Sequence, residues 1–274
     1  MKRLLPIWML IAAVACTTEH LPRDPDRLVV EGWIDSGGAP VVMVTSPVEA
    51  TSTVQQIDEL AQYLYYKAYV TVLDETTGEE VTLTARKDSR YLPPLIYTTD
   101  GMKGIAGHRY TLKVMYGNHV AKASALIPEP VPLEKVTVSK SEQSDTLYVI
   151  TAYFDDPSGY HRFFTMVEGH DTMYLPSVLS GQAASNQAGS VSVVRGFALT
   201  DTRRLPLYRR GETVHIKFCA VEEIIWQYWS CFDALSTLGI YGFFPISVNP
   251  PSNMTGAYGY WAGYGATYAT VTVE

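Results

Sequence analysis

Three sets of residues in this sequence could do chemistry. Cys16 follows Ala13-Val14-Ala15 at the end of an apolar run that begins behind Lys2 and Arg3. A short basic segment, an apolar core and small residues before a cut site mark a secretory signal. Small residues before a cysteine make a bacterial lipobox, whose thiol is acylated before cleavage. The alternative is a plain Ala-x-Ala site with Cys16 retained as a bystander. Second, Trp226, Trp229, Tyr258, Tyr260, Trp261 and Tyr264 could form a stacking platform for a sugar or peptide, or a contact surface for a partner protein. The competing reading packs most of them into a core. Third, Cys219 and Cys231 could pair as a disulfide in an exported protein, although two cysteines are not a disulfide framework.

The alternation of small and aromatic residues near the C-terminus has a geometric consequence. In an extended chain even-numbered positions share a face. Tyr258, Tyr260, Tyr264 and Tyr268 would then line up, with Trp261 pointing the other way.

Catalytic signatures are missing from the chain. It contains no Gly-x-Ser-x-Gly elbow, no His-Glu-x-x-His motif and no phosphate-binding glycine loop. Glu168-Gly-His170-Asp171 could hold a metal through alternate residues, but reads better as a hairpin turn; Asp155-Asp156-Pro157 reads as a strand end. No catalytic residue, metal or cofactor is assigned. Removing the leader with Lys2 and Arg3 leaves 19 of the 21 basic residues against 28 acidic ones. That balance argues against nucleic acid or anionic lipid as a partner. The apolar leader is also shorter than the roughly 20 residues a spanning helix needs.

The elements that must position these residues are mostly strands. Leu28–Ile34 and Val41–Val44 flank a turn with Gly37, Gly38 and Pro40, the pattern of a hairpin. Tyr69–Leu73, Val81–Thr84, Tyr110–Val114 and Val120–Ala123 follow, six of the about seven short strands expected in the first half. Ile57, Leu60, Ala61 and Leu64 recur with helical spacing, capped by Ser52 or Thr53. Pro128, Pro130 and Pro132 alternate through a segment that favours an extended connector. Beyond it come strands at 136–138, 146–154, 162–167, 191–199 and 213–221, then an aromatic helix from Glu222 to Leu235 and a last strand at Val271–Val273.

The expected division is a signal over 1–15, a tether over 16–27, a first β-sandwich domain over 28–127, a linker over 128–133 and a second β-rich domain over 134–274. The fold class is all-β, an N-terminal Ig-like or transthyretin-like sandwich followed by a β-rich domain with one or two short helices.

Taken in order, the lipobox, Leu28-Val-Val-Glu-Gly32, Ala68-Tyr-Val-Thr-Val72, Gly107-His-Arg-Tyr-Thr-Leu-Lys-Val114, Asp156-Pro157 and Asn249-Pro250 to Asn253 with the aromatic end carry a family resemblance. Together they resemble the Bacteroidota lipoprotein family catalogued as domain of unknown function 4249. The stretch Gly256–Gly263 is richer in tyrosine than that pattern. The resemblance implies an outer-membrane lipoprotein accompanying a TonB-dependent transporter in nutrient uptake, and it brings no catalytic residues. It also implies that acids after Cys16 favour surface display over the periplasmic face; here Glu19 is the one offered. The expected function is non-catalytic ligand capture at the outer membrane. A structural or adhesive surface module, and a glycan or peptide hydrolase, are the alternatives.

Overall fold

The computed structural model describes residues 27–47, 63–91, 94–181, 189–197, 206–240 and 250–274. Cys16 and the leader, and residues 57–62 of the expected helix, lie outside the described residues.

The chain is all-β, with one helix among the described residues. β1 (Leu28–Asp35) and β2 (Val41–Thr45) form the expected hairpin, with Val30 opposite Val44. Its inward positions Leu28, Val30 and Ile34 are fully buried, while Val29, Glu31, Trp33 and Asp35 face the other side. β3 (Tyr69–Asp74), β4 (Glu80–Lys87), β5 (Leu95–Thr98), β6 (Arg109–Tyr116) and β7 (His119–Leu126) complete seven strands in the first half. The turn after β3 is held by the Asp74 carboxylate, which accepts from the amides of Thr76 at 2.8 Å and Thr77 at 3.2 Å. An aspartate can hold a turn in this way because its side chain mimics a backbone carbonyl.

After the proline segment come β8 (Lys135–Ser141), β9 (Ser144–Tyr153), β10 (His161–Val167), β11 (Leu175–Ser180), β12 (Ser190–Val193), β13 (Tyr208–Arg209) and β14 (Thr213–Ala220). The helix α1 (Glu223–Ile240) and the long β15 (Ala257–Thr272) follow. Here β15 runs through the whole Gly/Tyr-rich stretch as well as the short terminal strand expected from its valines. β5 and β11 are absent from the strand pattern of the sequence, since prolines at 94 and 176 interrupt or adjoin them.

Eleven strands make one sheet in the order β11-β10-β14-β15-β1-β2-β5-β4-β3-β6-β7, and four make a second around β9. β15 is the hinge of this topology. Its first half pairs parallel with β1, and its second half pairs antiparallel with β14. The large sheet curls so that β7 meets β15, and just before β15 begins the Lys122 and Thr255 backbones exchange hydrogen bonds.

Two cores result. Val42, Val44, Val70, Val72, Leu112 and Val114 fill the first, together with Met254, Ala257 and Trp261 from the C-terminal end. Ile150, Phe163, Val214, Ile216 and Phe218 fill the second, between the small sheet and the β10–β14–β15 part of the large one. Fully burying such side chains stabilises the fold by about 1.5–3 kcal/mol each.

Candidate functional site

β15 distributes its side chains by parity. Odd positions meet, in turn, the first core through Trp261, the proline segment through Gly263, Gly265 and Thr267, and the second core through Ala269 and Val271. A side chain at Gly263 or Gly265 would collide with the carbonyl oxygen of Leu126 or Pro128, so the crossing backbone requires glycine there. Even positions face the opposite way. Tyr260, Tyr264 and Tyr268 project from that face with Ala262 and Ala266 between them, and the small residues leave room above the strand.

That room is a cavity of about 560 Å³. Its floor crosses the sheet, and the strand register places the floor residues. Phe164, Lys217 and Tyr268 lie in one row across β10, β14 and β15, and Tyr260, Glu31 and Met43 lie in another across β15, β1 and β2. Tyr228, Trp229 and Phe232 of α1 form one wall, while Tyr91 and the segment Thr172–Pro176 form others. The rings pack against one another: Trp229 meets Tyr260 at 5.5 Å and Phe164 at 5.7 Å between ring centroids. Trp229 also donates its indole N–H to the Tyr264 hydroxyl at 3.1 Å.

The charged groups in and beside the cavity are paired with one exception. Lys217 Nζ reaches both carboxylate oxygens of Asp35 at 2.7 Å, and the Tyr268 hydroxyl donates to the same carboxylate at 3.1 Å. Burial is the largest influence and works against the Lys217 ammonium, but the charge and hydrogen bonds of Asp35, together with Cys219 and Tyr174 nearby, outweigh it and the pKa is raised. Arg162, wholly buried, donates two hydrogen bonds to Asp233 at 2.5 and 3.1 Å and lies 4.7 Å from the Trp229 ring centroid. Arg90 at the rim is held by Asp88 at 2.6 Å. The exception is Glu31: among the described residues no donor or cation meets its carboxylate, and burial raises its pKa.

Glu31 and Asp35 are the carboxylates in the lining. Four residues apart on one strand, they stand roughly 13 Å from each other along the chain. Paired glycosidase carboxylates sit about 5–9.5 Å apart. Among the described residues, the lining contains no histidine, cysteine or serine.

A family model matches residues 16–269, almost the entire chain. The chain belongs to the family described as Domain of unknown function (DUF4249). No curated protein matches it as a relative.

Of the aromatic residues singled out in the sequence, this DUF4249 chain brings Trp229, Tyr260 and Tyr264 together on the cavity. Two others stand outside its lining. Trp226 donates its N–H to the Ser180 carbonyl at 3.0 Å and packs on Tyr160, and Tyr258 lies under the Arg27 guanidinium at 4.8 Å. Trp261 points the other way, as the alternation requires. Cys219 and Cys231 are both free thiols, so the disulfide considered for them is not formed. Cys219 alternates along β14 with the core residues Val214, Ile216 and Phe218, so it points to the opposite side, yet it does not face solvent. α1 and the β15 tyrosines cover that side, and Cys219 is fully buried there with its pKa raised by burial. Glu168–Asp171 forms a turn, in which the Asp171 carboxylate accepts from the Val167 amide at 2.7 Å. Glu31, Trp33, Asp35 and Lys217 were not apparent from the sequence. Their signal was weak: each alternates with apolar residues, as a solvent-facing residue of a half-buried strand also would.

Proposed function

We propose that this DUF4249 chain is a lipid-anchored, non-catalytic capture protein of the outer membrane that holds a small ligand in the aromatic cavity and passes it to a TonB-dependent transporter. The observation that carries the reading is the cavity itself. Its size lies within the about 300–1,000 Å³ range of ligand pockets, and its lining is apolar and aromatic with a few placed polar groups, as such pockets are built. The lipobox pattern ending at Cys16 supports the anchor. The separation of Glu31 from Asp35, and the engagement of Asp35 by Lys217, support binding over hydrolysis. The transporter arm rests on the family resemblance.

The test is isolation of the acylated protein from outer membranes in mild detergent. Expected is a co-purifying transporter barrel and an endogenous ligand that is lost when Trp229→Leu and Tyr264→Ala open the cavity. A protein that emerges alone and empty, or that self-associates instead, would overturn capture in favour of a structural or adhesive surface module. Palmitate labelling and a Cys16→Ala variant test the anchor separately: the variant is expected in the soluble fraction.

A further inference from the structure

The cavity has a charge preference written into its floor. Glu31 sits between Tyr260 and Met43 in the strand register, with Trp33 two residues along the same face. The cations nearest the cavity are engaged elsewhere, Lys217 by Asp35, Arg162 by Asp233 and Arg90 by Asp88. Among the described residues, Glu31 therefore brings one uncompensated acidic group to an otherwise neutral lining. The surrounding rings of Tyr228, Trp229 and Tyr260 present π faces, which carry partial negative charge and attract cations. Carboxylate and rings thus favour the same visitor. An anion would be repelled by both, and a neutral apolar ligand would leave the Glu31 carboxylate buried without a partner, a costly arrangement.

We propose that the cavity binds an organic monocation with an apolar body, its amine or guanidinium group at Glu31 and its body against the aromatic walls. This deepens the capture reading and rests on it. The upward shift of the Glu31 carboxyl agrees, since burial without a cation disfavours its charge and a bound cation would restore it.

The test is calorimetric titration of the full mature chain with three probes of one shape: phenethylammonium, phenethyl alcohol and phenylacetate. Expected is at least tenfold tighter binding of the ammonium than of the alcohol, with phenylacetate weakest. Glu31→Gln should remove the ammonium preference and leave the alcohol unchanged. If Glu31→Gln melts early, Tyr260→Leu keeps the carboxylate and removes a neighbouring ring, and ammonium affinity should fall several-fold. Alcohol or phenylacetate binding as tightly as ammonium, or an unchanged ammonium affinity in both variants, overturns the inference and leaves capture standing. No binding by any of the three probes overturns both.

Discussion

The indole N–H of Trp261 donates to the backbone carbonyl of Tyr110 at 2.9 Å, joining residues 151 apart in sequence inside the first core. Trp261 is fully buried there, although the rest of that core is built almost entirely from residues before the proline segment. The C-terminal strand is therefore part of the N-terminal fold. Trp261→Ala is expected to cost about 3–5 kcal/mol, the range for deleting a buried Trp. Trp261→Phe should cost less, about 1–3 kcal/mol, for the buried carbonyl left without its donor. Urea unfolding measures both.

Lys217 and Asp35 tie β14 to β1 across the intervening β15. With the lysine side chain 7% exposed and the aspartate 16%, either charge alone would be left buried. Lys217→Met and Asp35→Asn should each destabilise by about 3–5 kcal/mol, while the double variant recovers much of that loss. A double-mutant cycle in denaturant gives the coupling; additive losses would contradict it.

Gly263 carries the crossing of the Leu126 backbone. Gly263→Ala should lower stability by about 1–3 kcal/mol, because the added methyl group has no room and the backbone must shift. Gly78→Ala is a useful contrast. Nothing lies near its missing Cβ, so any loss there reports only its positive φ of 77°. Thermal melts of the two variants separate steric from conformational cost.

His161 is 1% exposed and packs against Phe154 and Phe218. Burial lowers its pKa from 6.5, and the carboxylate of Asp156, 3.0 Å away, offsets only part of the shift. The unfolded chain therefore takes up the proton first as pH falls. This contribution to stability is complete above about pH 6.5 and is lost as pH drops through that value towards the depressed folded pKa. Glu31 acts in the opposite direction: its raised pKa adds stability at low pH that disappears as pH rises through the folded value. The quantity to measure is thus the difference between parent and His161→Gln in urea midpoint at pH 7 and pH 5, with the variant showing the smaller acid loss.

The two described thiols should react unequally. Cys219 is fully buried with its pKa raised, whereas Cys231 on α1 is partly exposed. A thiol reagent such as dithionitrobenzoate should label Cys231 in the folded protein and Cys219 only on unfolding. Equal rates would mean that α1 does not cover β14.

Much of the strand pattern was readable from residue alternation, because one buried face leaves a period of two. The β1–β2 hairpin, β8, β9, β10 and β14 all lie where that pattern puts them. β11 was not readable, since Leu175-Pro176 does not look like a strand that pairs along β10. The face of β14 bearing Lys217 and Cys219 looked solvated. A strand buried on both sides by partners distant in sequence carries the same local alternation as one exposed to water, so the pattern cannot tell the two apart.

The residue types alone determined that Tyr260, Tyr264 and Tyr268 share one side of an extended strand and Trp261 the other, for the pleat of a β-strand imposes that division locally. Only the tertiary structure decided what each side meets. The parallel pairing of β15 with β1 sets Glu31 beside Tyr260, and α1 closes the space above them. Contacts of that kind join segments far apart in the chain, and no local preference encodes them.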